Sequence, residues 1–377
     1  MFRKRTLAAL TLVAAASLTL SACSTTPAGT DVDAATATSA EAFGGLDALG
    51  LSCGDEGVEA AQTEGQLNVI ALPDNWANYG AIKALFEEKY GITVNSTDPD
   101  ISSAEEIAAA DNLKGQDTAP DVFDLGTAVT LDSLDYFAPY QVANWAEIPD
   151  ANKEATGLWV NDYTGSMSIG YDSNSVPEPT SLDDLLGADY KGAVALNGDP
   201  TQAGAAFAAV GLATVQSGGT LDDFTPGIEF FQKLNAAGNF IPVNATGATI
   251  ASGETKVVFD WSYNNLAAAA TVDGWKVTTL PGAVYTSFYN QAINIDAPHP
   301  AAARLWQEFL YSPEAQNLFI VGGAYPVTID ALVANGTVDQ DALDTLGALD
   351  GDLVTVTAAQ AEANAAILAA KWAAAVQ

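Results

Sequence analysis

The sequence predicts an α/β protein of two lobes, arranged as a hinged clamshell whose chain crosses between the lobes more than once. Three observations carry this reading. Short apolar runs bounded by turn residues alternate with segments of helical spacing, the alternation occurs in two separate series, and the chain then returns toward the first series. Strands alternating with helices imply βαβ units and a parallel sheet, whose ligands sit outside the carboxyl ends of the strands.

The first series opens at Gly65. Residues 67–73 form an apolar run with glycine before it and Pro73-Asp74-Asn75 at its end, a buried-strand pattern. Ile82, Leu85, Phe86 and Lys89 then recur at helical spacing over 81–90, followed by a strand at 92–97, a helix at 104–113 and a strand at 122–126. The second series follows the aromatic segment 159–171, with a strand at 193–197, helices from Ala203 and over 226–237, and a strand at 256–261. A strand-rich stretch over 275–295 leads back to a helix at 300–310. The expected division is a first lobe of 61–165 and 275–377 and a second of 166–274, with crossings near Gly170 and within 275–295. A cleft between lobes is where a site belongs.

Ahead of this body, Arg3, Lys4 and Arg5 precede an apolar run over 7–20 and then Leu20-Ser21-Ala22-Cys23. That layout is a secretory signal over 1–22, and the run is shorter than the roughly 20 residues a spanning helix needs. It resembles a bacterial lipobox, which implies cleavage before Cys23 and lipidation of that residue. Residues 24–45 are Ser, Thr, Ala, Gly and Asp with almost no large apolar side chains, so 23–60 is expected to be a lipidated N-terminus and flexible tether. With Cys23 lipidated, Cys53 is the sole remaining thiol, no intramolecular disulfide can form, and stability rests on a packed core. Cys53 itself reads as a half-buried small hydrophobe.

The net charge is −34, and losing Arg3, Lys4 and Arg5 with the signal makes the mature chain three units more negative. Nucleic acid and basic-patch attachment to anionic lipid are thereby excluded, since both need clustered Lys and Arg. The strand ends instead collect carboxylates and rings: Asp74, Trp76 and Tyr79 after the first strand, Asp124 at the third, and Asp260, Trp261 and Tyr263 in the second lobe. Asp162 and Tyr163 precede the first crossing, and Tyr285 and Tyr289 lie near the return. No Lys or Arg occupies these loops. A protonated amine suits such a set, because each ring face contributes roughly 0.5–2 kcal/mol and each desolvated carboxylate about 1.5–3 kcal/mol. Micromolar binding needs about 8 kcal/mol. Trp76, Trp261 and Tyr263 read equally as packing aromatics, and Asp74 as a helix cap.

The segment 197–206, NGDPTQAGAA, points the other way. It opens an Ala-rich helix whose free N–H groups suit an anion, or Thr201 merely caps that helix, while Asp199 beside it repels an anion. Catalysis is not expected. His299 is the sole histidine and is flanked by Pro298 and Pro300, and the Gly165-Ser166-Met167-Ser168 spacing breaks the nucleophile-elbow motif. No cofactor and no metal site is expected.

The ordered series GQLNVIALPDNWANYGAIKALFEEKYGITV, APDVFDLG, GSMSIGYDSNSVPEPTSLDDLL, DYKGAVALNGDPTQAGAAF, SGETKVVFDWSYNN and HPAAARLWQEFLYSPEAQ resembles the extracellular solute-binding proteins of ABC importers. The group it resembles includes polyamine, ferric-iron, thiamine and phosphonate binders. The resemblance implies a type II periplasmic-binding-protein fold, a small-molecule solute, delivery to the permease subunits of the importer, a monomer, and a place at the outer face of the cytoplasmic membrane or in the periplasm. The Trp-Ala-Asn-Tyr and Asp-Trp-Ser-Tyr details look most similar to the spermidine/putrescine subgroup. The adjacent tyrosines of iron binders are replaced here by Asn264-Asn265 after Tyr263, with Leu310-Tyr311 further on.

Overall fold

A computed structural model describes residues 54–349 and 351–376; the signal, Cys23 and Cys53 lie outside them. The first half of the molecule contains α1 (Gly54–Glu64), β1 (Gln66–Ile70), α2 (Tyr79–Tyr90), β2 (Thr93–Thr97), α3 (Ser103–Leu113), β3 (Val122–Gly126), α4 (Thr127–Asp132) and β4 (Phe137–Ala138). The long β5 (Val160–Asp172) then leads into β6 (Val194–Leu196), α5 (Gly204–Gln216), α6 (Thr225–Ala237), β7 (Phe240–Asn244), α7 (Gly247–Ala251), β8 (Val257–Trp261), α8 (Ser262–Thr271) and β9 (Trp275–Thr278). The equally long β10 (Ala283–Asn294) returns the chain to α9 (Pro300–Leu310), α10 (Pro313–Val321), β11 (Tyr325–Pro326), α11 (Ile329–Asn335) and α12 (Gln340–Leu346). The chain closes with β12 (Asp352–Val354) and α13 (Ala358–Val376).

The described strands form a two-stranded sheet, β1 with β2, and a larger sheet of ten strands that is mixed rather than wholly parallel. β1 pairs parallel with β2, and β6 with both β7 and β8, as βαβ units require. β5 and β10 run antiparallel to each other and are the two crossings. The first part of β5 pairs with β10 and β11, and its last five residues before Asp172 pair with β8. At 13 residues, β5 spans about 40 Å and is the common spine of both halves. β10 likewise pairs with β12 at its start and with β3 and β4 at its end.

One hydrophobic core runs through both halves, with an aromatic cluster in each. In the first, Phe86 packs edge-on to Trp306 at 5.3 Å and close to Phe309 at 5.5 Å. In the second, Phe231 meets Phe259 at 5.6 Å and Trp372 at 5.5 Å. α2 stops where Gly91 adopts φ 67°, a left-handed cap that returns its N–H to the Glu87 carbonyl.

Two placements differ from the expected division. Residues 54–60, read as tether, are the first turns of α1, held because Ala61 is fully buried and Glu64 accepts the N–H groups of Ala301 and Ala302 at the start of α9. Residues 275–377 do not all return to one lobe. α9 and α10 pack near α1 and α2, but α13 lies against α6 and α4, with Asn364 bonding Leu221 and Phe224 and Trp372 inserted between Phe231 and Phe240. Among the described residues no helix is long and apolar enough to cross a membrane.

Candidate functional site

The carboxyl ends of β1, β3, β6 and β8 converge on a cleft between the two halves, where β5 and β10 cross. The loop from β1 to α2 supplies Trp76, and it is an unusual stretch of backbone: Ala71, Ala77 and Asn78 all have positive φ, at 55°, 44° and 69°. Each costs on the order of 1 kcal/mol for a residue with a Cβ, so the surrounding packing must impose it. α10 does so: Asn78 donates to the Leu318 carbonyl at 2.9 Å, and Gly322 leaves room for Ala77, since a Cβ there would come within 2.8 Å of its carbonyl carbon. The Trp76 ring is thereby fixed at the cleft wall, edge-on to Tyr263 at 5.9 Å and to Tyr289 at 5.6 Å.

Behind Trp76 lies a buried polar chain. Trp76 Nε1 donates to the Tyr163 hydroxyl at 2.5 Å, and that hydroxyl donates to Asp124 Oδ2 at 3.0 Å. Asp162 sits one layer deeper and accepts from Tyr79 at 3.1 Å, from Gln291 at 3.0 Å and from its neighbour's Tyr163 N–H at 2.7 Å. Tyr163 is stacked between Tyr289 and Phe319. Asp124 Oδ1 is buried with no hydrogen-bond partner.

α3 covers the edge of β3. Glu105 turns back to cap Ser102, while Glu106 points inward and accepts the Asp124 N–H at 3.1 Å, and Ser103 accepts the Gly126 N–H at 3.0 Å. On the other wall, Asp260 accepts three bonds: from Trp261 N–H at 2.7 Å, Asn197 at 2.9 Å and Asn264 at 3.1 Å. Burial raises Asp260 to about 6 against these three donors. Burial, then the charge of Asp162, pushes Asp124 well above the ordinary carboxylate range, and burial, then Asp124, does the same to Glu106.

Of the residues expected at the site, Trp76, Asp124, Asp260 and Tyr289 line the cleft. Tyr79, Asp162 and Tyr163 are buried behind it as the support of Trp76 and Asp124. Trp261, Tyr263 and Tyr285 are buried aromatics of the second wall; Trp261 stacks on Tyr263 and faces, with Tyr285, a neighbouring apolar recess. Asp74 is elsewhere. Its side chain is 83% exposed and paired with Lys83 at 2.9 Å, and the residue at the N-cap position of α2 is Asn78. Asp199 and Thr201 are exposed and bond each other, the Thr201 hydroxyl donating at 2.6 Å, so Thr201 caps nothing and Asp199 does not face the cleft. The cap of α5 is Ala203, which has no side-chain acceptor, and Ala203, Gly204 and Ala205 line the cleft.

Glu106 and Asn264 are cleft residues that sequence reasoning does not single out as ligand-binding, and Asn197, at the start of the 197–206 segment, lines the cleft as well. The signal for Glu106 was present: the Ser102-x-x-Glu105 box fixes the start of α3 and so the face on which the next residue lies. No Lys, Arg or His lines the cleft among the described residues, and no group of three or more His, Cys, Asp or Glu among them can hold a metal ion. The two walls already touch. Gly126 and Gly204 approach so closely that a Cβ on the first would lie 2.7 Å from the Cα of the second, and the Ala104 N–H donates to the Gln202 carbonyl at 3.2 Å.

A comparison with curated proteins finds no match. Among solved structures the chain is similar to the periplasmic binding protein P5PA, with a TM-score of 0.65 and 18% identity over 83% of this chain and 100% of that one. It is similar to AfuA from Actinobacillus pleuropneumoniae, solved with fructose-6-phosphate bound, with a TM-score of 0.64 and 17% identity over 82% and 98%. It is also similar to iron-bound HitA from Pseudomonas aeruginosa, with a TM-score of 0.59 and 17% identity over 83% and 99%. These likenesses establish the two-lobed type II binding-protein fold that the crossing strands β5 and β10 describe. Residues 122–348, from the third strand of the first lobe through the whole second lobe and back, match one sequence family, and the chain belongs to it: the bacterial extracellular solute-binding proteins.

Proposed function

We propose that this solute-binding protein captures a small cation of the polyamine kind in the inter-lobe cleft and delivers it to the permease of an ABC importer, tethered to the membrane through lipid on Cys23. The observation that carries the choice of ligand is the lining of the cleft. Glu106, Asp124 and Asp260 are each at most 5% exposed, the rings of Trp76 and Tyr289 stand beside them, and no cationic side chain among the described residues answers them. A buried carboxylate without a counter-charge is costly, and a protonated amine supplies both the charge and the N–H donors.

In this reading the ammonium group lies between Asp124 and Asp260, with Trp76 and Tyr289 as ring walls and Tyr79, Asp162, Tyr163, Trp261 and Tyr263 holding those walls in place. β5 and β10 act as the hinge between lobes. One observation favours a second reading, an anionic solute: the uncapped first turn of α5 faces the same cleft. Three buried carboxylates against one helix end favour the cation. A thermal-shift panel of the mature domain against polyamines, amino acids, sugar phosphates, phosphonates, thiamine and ferric complexes tests this. Stabilisation by spermidine or putrescine supports it, and stabilisation by a phosphonate or sugar phosphate alone overturns it.

A further inference from the structure

The carboxylates of the cleft are not provided for equally. Asp260 accepts three hydrogen bonds, and Asp162 behind the cleft also accepts three. An ionised carboxylate offers about four acceptor positions, so these two are the better supplied, although burial still raises Asp260 to about 6 and Asp162 to about 7. Glu106 and Asp124 hold fewer bonds: Glu106 Oε2 accepts the Asp124 N–H and Asp124 Oδ2 accepts the Tyr163 hydroxyl, while the Tyr79 hydroxyl and Gln291 amide, both bonded to Asp162, lie near enough to Asp124 to favour its anion as well. Glu106 and Asp124 are neighbours, joined by that N–H, and both are buried and line the cavity. Two buried carboxylates this short of donors, with the charge of Asp162 raising Asp124 and that of Asp124 raising Glu106, are not both ionised while no cation faces them.

We propose that Glu106 and Asp124 form the ammonium seat of the cleft and that a cationic solute enters it in exchange for a proton the pair holds when the seat is empty. This rests on the cation reading above. In the step, the O–H bond of the protonated carboxyl breaks, its proton passes to buffer, and an N–H of the ammonium takes its place on the freed oxygen. Charge in the cleft is conserved, which removes the desolvation cost that a dianionic seat would carry between captures.

The surroundings favour the proton. Packed against the pair, β5 presents Asp162 and Tyr163, α2 presents Tyr79, β10 presents Tyr289 and α8 presents Tyr263. Asp260 on β8 and Tyr311 after α9 complete the set. Every one of these groups is an acid or a phenol. Burial first holds both Asp124 and Glu106 well above the usual carboxylate range, with the charge of Asp162 next for Asp124 and that of Asp124 next for Glu106.

The test is calorimetric titration of the mature protein with spermidine at pH 7.5 in phosphate and in Tris, whose ionisation enthalpies differ. The difference in apparent heat counts protons. The proposal expects about one proton released per spermidine bound and, between pH 5 and 7, affinity rising by up to roughly tenfold per unit. Glu106→Gln keeps an acceptor for the Asp124 N–H while removing the shared acid, and should lose most of the release; Asp124→Asn serves if that variant does not fold. Asp260→Asn should weaken binding but keep the release. Spermidine binding with no proton released, or a release unchanged in both Glu106→Gln and Asp124→Asn, overturns the exchange and leaves the cation reading intact. Binding of an anion such as fructose-6-phosphate with no amine binding overturns both.

Discussion

Replacing Gly126 by alanine should hold the clamshell open. Gly126 has φ −67° and ψ 146°, an extended conformation that alanine adopts freely, so the substitution strains no backbone of its own. Its effect is confined to what the new methyl meets. That methyl would lie 2.7 Å from the Gly204 Cα on the opposite wall, well inside the 3.4 Å at which ordinary contact begins, and the neighbour is backbone that cannot rotate away. The lobes must separate by about 0.7 Å, from 2.7 to 3.4 Å, which stretches the 3.2 Å bond from Ala104 to Gln202 past hydrogen-bond range. Overpacking of this kind costs about 1–3 kcal/mol. Here it falls on the closed state alone, so apparent affinity drops by the lost fraction of closed molecules, roughly 5-fold to 150-fold. Calorimetry of the wild type and Gly126→Ala with the solute found by the panel, together with small-angle scattering, reads both consequences. The variant should bind more weakly and keep a larger radius at saturation, with unfolding in the absence of solute little changed. Equal affinity and equal radius would show that this glycine contact plays no part in closure.

Asp260→Asn places an NH2 among three donors and removes a charge, and should weaken a cationic solute by about 2–5 kcal/mol in calorimetry, more than tenfold; tighter or unchanged binding would contradict its role. The solute-free protein should be less stable at pH 8 than at pH 5.5. Asp260, raised to about 6, and Glu308, buried beside Tyr140 and raised to about 7, bind more protons folded than unfolded, so stability falls as pH rises through those windows. Thermal scans should show a drop of a few degrees, largely cancelled by saturating cation. Cys23→Ser should release the processed protein into the medium or leave it uncleaved, and continued membrane retention of a cleaved chain would rule out the lipid.

Most of the element order could be read from the sequence because each strand and helix carries its own period. The run 122–126 between proline-aspartate and threonine is β3 to the residue, and the proline start and apolar stripe of 300–310 give α9. What could not be read was set by tertiary contact. Nothing local in 160–172 says that one strand joins two sheet halves, since its neighbours on both sides come from distant segments. Residues 358–376 have helical composition throughout, and only the fit of Trp372 between Phe231 and Phe240 decides which lobe they join. The site divides in the same way. Asp124, Asp260 and Trp76 are legible from strand ends, because the carboxyl end of a strand fixes a side chain's position in the cleft, and Tyr289 from its place in the returning stretch, where it sits mid-strand in β10. Asp74 was misplaced because the left-handed residues after it turn the loop, so that the aspartate meets Lys83 outside while Trp76 turns in. Asp199 was misplaced because its carboxylate is satisfied by Thr201 within its own turn.

The central claim is that an acidic, ring-walled cleft selects a cation in a fold that also accommodates anions and metals. Titrating the mature protein side by side with putrescine, spermidine, a phosphonate and fructose-6-phosphate tests it most directly. A micromolar dissociation constant for an amine, with no heat from either anion, is the predicted result. Micromolar binding of an anion with neither amine bound would contradict it and would move the centre of the site to the first turn of α5.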